Sequence, residues 1–227
     1  MDREERDELR EIRDRELLAF DDRIRNEHGT TLVAGMDEVG RGPLAGPVVA
    51  AAVILPAGTL IPGADDSKAL THEKREELYG VIVRVAIAWS WALVHPATID
   101  RINILQASRL AMRRALAGLE PVPHATVVDG LTVPRLRTKQ VALPGADATS
   151  LSVACASIIA KVRRDRIMVR HARRFPEYDF ASNKGYGTPA HLEALDRFGP
   201  CPLHRRSFTP VAQMKLPVAP VPVASTT

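Results

Sequence analysis

Two short apolar runs each end on an acid with a glycine within three residues, and they limit the fold more than any other feature of this chain. Thr31-Leu-Val-Ala-Gly-Met-Asp37 is followed by Glu38 and Gly40-Arg41-Gly42-Pro43, and Ala125-Thr-Val-Val-Asp129 by Gly130. Runs of this length, rich in β-branched residues and closed by turn formers, read as strands. Further strands are expected over residues 46–55, 85–94 and 139–143. Helices are expected from Thr71, over 98–117 with Thr98 as cap, from Thr149 or Ser150 to about Arg174, and after Pro189. Strands interleaved with helices of this length make an α/β domain with a mixed sheet. The long helix starts with small residues over 152–160, which lets it lie close against that sheet. Trp89 and Trp91, two apart on a strand, read as core.

Residues 1–28 are a separate, charged segment. Leu9, Ile12, Leu17, Phe20 and Ile24 recur at near-helical spacing, and His28-Gly29 supplies a stop. The expectation is an amphipathic helix lying against the domain as an appendage, its charged face in water. It holds seven basic and eleven acidic side chains, which leaves 24 basic against 16 acidic residues in the remainder of the chain. A body that basic suits a polyanionic partner, nucleic acid first. The dense charge of the first twenty residues excludes a secretory signal. No run of eighteen apolar residues occurs, so no membrane span is expected. Cys155 and Cys201 lie in no CxxC pair, which suggests neither a disulfide framework nor a zinc site, and a cytoplasmic location is expected.

Asp37 and Glu38 close one strand and Asp129 another. Asp147 stands just before the long helix, where an acid can equally serve as cap or dipole partner. Taken singly, each reads as a solvated turn acid. Taken together, strand ends at one sheet rim would crowd four carboxylates, and like charges repel unless cations neutralise them. Oxygen-only ligands favour hard divalent ions, magnesium or manganese, a pair of which can serve phosphoryl displacement. The basic candidates are Lys68 in Asp66-Ser67-Lys68, the stripe Arg163, Arg166, Arg170 and Arg173, and the cluster His204-Arg205-Arg206-Ser207-Phe208. Tyr186, in Asn183-Lys184-Gly185-Tyr186-Gly187-Thr188, has glycine neighbours that leave its ring reachable for stacking.

In order, Met36-Asp-Glu-Val-Gly-Arg-Gly-Pro-Leu-Ala-Gly-Pro47, Asp66-Ser-Lys-Ala-Leu70, Val128-Asp-Gly130, Ala154-Cys-Ala-Ser-Ile-Ile-Ala-Lys-Val162, Lys184-Gly-Tyr186 and Arg205-Arg-Ser-Phe208 resemble the bacterial ribonuclease HII family, over about residues 31–211. The resemblance implies a ribonuclease H-like mixed sheet flanked by helices, with a small helical C-terminal part. It implies a metal-dependent endonuclease for RNA–DNA hybrids and for single ribonucleotides in duplex DNA. By motif position, Asp37, Glu38, Asp129 and Asp147 are its catalytic, metal-binding acids, taking Mn2+ or Mg2+. Gly40, Arg41 and Gly42 match the loop that reads the ribose 2′-hydroxyl, and Tyr186 the tyrosine that packs on the sugar at the RNA–DNA junction. Lys68, Lys184 and Arg205 are similar to residues near backbone phosphates.

Two positions depart from the family pattern. Leu143-Pro-Gly-Ala-Asp147 replaces the usual basic residue and glycine before the fourth acid, although Asp147 keeps its ten-residue spacing to Ser157. Asn183 stands where histidine is common. The short N-terminal segment and Tyr186 favour ribonuclease HII over the sister type, ribonuclease HIII. The expected division is a helical extension over 1–30, a catalytic domain over 31–175, a helical substrate-binding part over 176–215 and a disordered tail over 216–227, working as a monomer. The rivals are another metal-dependent nuclease of the same fold and a non-catalytic nucleic-acid binding module.

Overall fold

The computed structural model describes residues 2–64, 70–130 and 132–214. The expected tail at 216–227 lies outside them. Helix α1 (Arg3–His28) opens on an Asp2 capping box and stops at Gly29, whose φ of 59° is left-handed. Strands β1 (Val33–Val39) and β2 (Val48–Ile54) pair antiparallel. Helix α2 (His72–Val85) starts at the Thr71 cap and precedes β3 (Ala88–Val94), antiparallel to β2. Helices α3 (Pro96–Ile102) and α4 (Ile104–Ala117) lead to β4 (Ala125–Asp129) and β5 (Lys139–Leu143). β4 runs parallel to β1, and β5 parallel to β4. Then come α5 (Leu151–Ala172), α6 (Phe180–Asn183) and α7 (Pro189–Phe198). The sheet order is β3-β2-β1-β4-β5, a mixed α/β sheet as the strand and helix pattern predicts.

Helices cover both faces of this sheet. On one, α1, α2 and α5 bury Leu17, Ile82, Ile158 and Ile159 against Val49, Ala51 and Val53. On the other, Ile99, Ala111 and Ala115 of α3 and α4 pack on Val48, Ala50 and Ala52. β2 is therefore buried along its whole length, successive residues facing opposite layers. Helix α5 comes closest to the sheet at Gly35. A Cβ added there would lie 2.1 Å from the Ser152 carbonyl carbon. The small residues of α5 permit this approach, and Gly35 completes it.

Three expectations change. Helix α1 lies against the domain as expected, but its charged face is not all in water. Leu17, Asp21, Ile24, Asp14 and Arg25 are buried, whereas Leu9 and Ile12, nearer the helix start, stay about half exposed. The helix expected over 98–117 is two helices. Pro96, not Thr98, stands at the first start, and Asn103, at a left-handed φ of 64°, ends α3 and caps α4 through the Gln106 amide. The tryptophans are only partly buried and, with Tyr79, enclose the Arg163 guanidinium at 5.1–5.4 Å from each ring centre.

Gly35→Ala forces α5 off β1. The expected loss is roughly 3 kcal/mol, seen as a melting temperature lower by about 10 °C in circular dichroism. An unchanged melting curve would show that the close approach is not required.

Candidate active site

The β1–β4 register sets Met36 opposite Val128, so Asp37 and Asp129 leave the sheet side by side at one rim. Asp147 lies in a single 3-10 turn, Ala146–Ala148, between β5 and α5. That turn is tied to β4 by the Ala146 amide, which donates to Asp129 Oδ1 at 2.8 Å. Asp37 and Asp147 are 5% and 6% exposed. Burial first, then the charge of Glu38, holds the Asp37 carboxyl well above the usual carboxylate range. Asp129 and Asp147 push the same way, and a hydrogen bond from Ser157 pulls against them. Glu38 is raised too, by burial first, with the Arg41 charge opposing. All four acids therefore share one electrostatic neighbourhood.

Two of these acids also bond groups beside them. Asp37 Oδ1 accepts from the Glu38 amide at 2.6 Å, and Glu38 Oε1 pairs with Arg41 Nη1 at 3.2 Å. Among the described residues, no three acid, histidine or cysteine side chains close on one point as a metal cage. Repulsion favours that spread, and a cation would draw the carboxylates together. The donor set fits hard divalent ions, since every available ligand is a carboxylate oxygen.

The loop after Glu38 rests on two wholly buried guanidiniums. Arg164 on α5 donates through Nε to the Pro47 carbonyl at 3.0 Å and through Nη2 to Ala45 at 3.2 Å. Arg205 donates to the carbonyls of Gly46, Arg41 and Gly40 at 3.0, 2.8 and 2.5 Å. Burial, with Arg164 adding like charge, pulls the Arg205 pKa down to about 9, so it stays charged at neutral pH. The expected phosphate contact of Arg205 is thus replaced by a structural one, because its guanidinium faces backbone on every side that bonds. Gly40 is required here on two counts. Its φ is +90°, and a Cβ would lie 2.2 Å from Arg164 Nε. Ser157 and Arg164 are not among the residues expected from sequence to serve the site. Their signal is a seven-residue spacing that puts both on the α5 face toward β1.

The glycine loop also meets the tyrosine loop. Leu44 N donates to the Gly185 carbonyl at 2.8 Å, and a Cβ on Gly42 would stand 3.8 Å from Tyr186 Cε1. Tyr186 is 45% exposed, its ring free as its glycine neighbours suggest. Lys184 gives its ammonium to the Ala181 carbonyl. Of the arginine stripe, Arg163 sits among aromatics and Arg166 pairs with Glu76, leaving Arg170 and Arg173 exposed. Lys68 lies outside the described residues.

Two buried histidines hold the tyrosine loop from behind. The Cys201 amide donates to His204 Nδ1 at 3.0 Å, so His204 Nε2 carries the hydrogen given to His191 Nε2 at 2.9 Å. His191 Nδ1–H then donates to the Tyr186 carbonyl at 2.8 Å. These partners assign both rings as neutral.

A family model described as Ribonuclease HII matches residues 34–211. A ribonuclease HII of Desulfitobacterium hafniense is 53% identical over 186 residues, which is 82% of this chain and 72% of the relative. One of Geobacter metallireducens is 47% identical over 207 residues, 91% and 97% of the two chains. The crystal structure of ribonuclease H2 from Pyrococcus horikoshii OT3 aligns with a TM-score of 0.65 at 28% identity, covering 80% of this chain and 95% of that one.

Burial, then the neighbouring His191, pulls His204 down to about 4, and burial lowers His191 as well. As pH falls the unfolded chain, with histidines near 6.5, takes protons first. This contribution to stability is therefore present above about pH 6.5 and lost toward pH 4, up to about 3 kcal/mol for His204. Between pH 7 and 4 the melting temperature of the native chain should fall more steeply than that of His204→Gln. Parallel curves would remove the pair from the pH response.

Proposed function

This chain belongs to the ribonuclease HII family, and from that premise we propose how it cuts and what it selects. It is a metal-dependent endoribonuclease acting on RNA in RNA–DNA hybrids. We infer that it also nicks duplex DNA on the 5′ side of a single embedded ribonucleotide, leaving a 3′-hydroxyl and a 5′-phosphate. Its place is ribonucleotide removal during replication and repair, as a cytoplasmic monomer.

One juxtaposition carries this reading. The loop Gly40-Arg41-Gly42 begins at the crowded acids, where Arg41 pairs with Glu38, and passes directly before the exposed Tyr186 ring. A duplex docks through its phosphates, without base readout. Backbone groups of Gly40, Arg41 and Gly42 meet the 2′-hydroxyl, the group that tells RNA from DNA. Gly42 leaves room for that approach, since a side chain there would stand between hydroxyl and loop. Tyr186 packs on the deoxyribose that follows, and Lys184 and Lys68 add charge near the phosphates.

Asp37, Glu38, Asp129 and Asp147 hold a pair of divalent cations, Mn2+ or Mg2+. When bound, the cations supply charge neutralisation at the scissile phosphate and a lowered pKa for the attacking water. The Glu38 amide and Ser157 orient Asp37, and the Ala146 amide orients Asp129. The oxygen of water joins phosphorus as the bond to O3′ breaks. The buried guanidiniums of Arg164 and Arg205 keep the loop carbonyls turned inward, away from the phosphates.

Asp37→Asn should lower turnover on the order of 10³-fold, while binding of a duplex with one ribonucleotide persists. Nicking assays with and without Mn2+ or Mg2+ measure this, and parental rates in the variant would remove Asp37 from the chemistry. Tyr186→Ala should reduce kcat/KM at a single ribonucleotide by about 10-fold, the equivalent of one lost stacking contact, and affect long hybrids less. Equal losses on both substrates would contradict the junction role.

A further inference from the structure

Helix α1 lies outside the segment matched by the family model, yet it makes polar contacts, those of Asp21 buried, with the segment that carries the fourth acid. Arg13 Nη2 donates to the carbonyl of Ala148, the residue after Asp147, at 2.5 Å. Asp21, wholly buried, accepts from Ser150 Oγ at 2.5 Å and from the Ser152 amide at 2.8 Å. Ser150 in turn caps α5, its hydroxyl accepting from the Val153 amide at 3.3 Å. The α5 so anchored carries Ser157, which bonds Asp37.

A carboxylate taken out of water is costly, and it is a weak source of stability compared with an apolar side chain of similar size. The N-terminus of a helix offsets part of that cost through its free amides and dipole. What the arrangement supplies is definition. Asp21 accepts from two groups in the first turn of α5, and the turn holding Asp147 is tied to the same helix α1 by Arg13. A shift of that turn would move Asp147 and Ser157 relative to Asp37 together.

We propose that α1 is a brace for the catalytic acids, with Arg13 and Asp21 as positioning residues that hold Asp147 in place to take a divalent cation. This rests on the reading of Asp147 as a metal-holding acid. Neither residue touches substrate or ion. Both act through the 146–152 backbone.

The test is Mn2+ binding to the full chain without substrate, followed by the electron paramagnetic resonance signal of free Mn2+. Arg13→Gln, Asp21→Asn, Asp147→Asn and the control Arg23→Gln are compared. Arg23 lies on the exposed side of α1, paired with Glu27 at 3.8 Å. Outer contacts of this kind change metal affinity roughly 10-fold. Arg13→Gln and Asp21→Asn should therefore raise the half-saturating Mn2+ concentration by about that factor, with KM for hybrid and the Arg23→Gln midpoint unchanged. Arg13 is a partly exposed side chain, so its variant stays folded and carries the test if Asp21→Asn does not. Unchanged midpoints in the brace variants, with Asp147→Asn weakened, overturn the brace alone. An unchanged midpoint in Asp147→Asn overturns the reading of Asp147 and the brace with it.

Discussion

Between Gly35 and Ser152 there is room for a hydrogen atom and for nothing larger, and this contact sets the alignment of α5 with β1. The two elements run side by side in the same direction. A helix advances about 1.5 Å per residue and a strand about 3.3 Å. Twelve residues of α5, from Ser152 to Arg164, therefore span about the same length as five residues of β1 and its continuation, from Gly35 to Gly40. The pairs Gly35 with Ser152, Asp37 with Ser157, Gly40 with Arg164 and Gly46 with Met168 follow one another along that shared line. The acid, the loop and the C-terminal helices all take their position from it.

Charge is arranged in two layers along the same line. The carboxyls crowd at the sheet rim, where burial and mutual repulsion favour the protonated form of Asp37. Beneath the neighbouring loop, Arg164 and Arg205 bring two positive groups into the interior, held by carbonyl oxygens and not by acids. The carbonyls of Gly40, Arg41, Ala45, Gly46 and Pro47 are thereby turned away from the outer surface of the loop. A loop that shows few acceptors outward suits contact with a polyanion.

Much of this was legible in the residues. Strands ending on Asp37 and Asp129 announce themselves by apolar runs closed with glycine, and the parallel β1–β4 pairing then places both acids at one rim. Tyr186 between glycines is exposed as its neighbours suggest. What stayed hidden depends on partners distant in sequence. Arg205 looks like a surface cation in a basic cluster, and only the carbonyls of residues 40–46 make it interior. The charge of α1 conceals that Asp14 and Asp21 have partners distant in sequence, Gly63 and Ser150, that periodicity cannot reveal. Asn103 breaks a continuous helical pattern at a φ of 64° while its side chain caps α4, and composition carries only a weak trace of that.

The histidine row behind Tyr186 has a direction. Every N–H in it points the same way, from the Cys201 amide through both imidazoles to the Tyr186 carbonyl. If one ring exchanged its tautomer, two hydrogens or two lone pairs would face each other at the central contact, so neither ring can do so alone. The row has no intermediate arrangement. Neighbouring dipoles reinforce one another while it is intact, so the Tyr186 carbonyl is held by a row that orders as a unit.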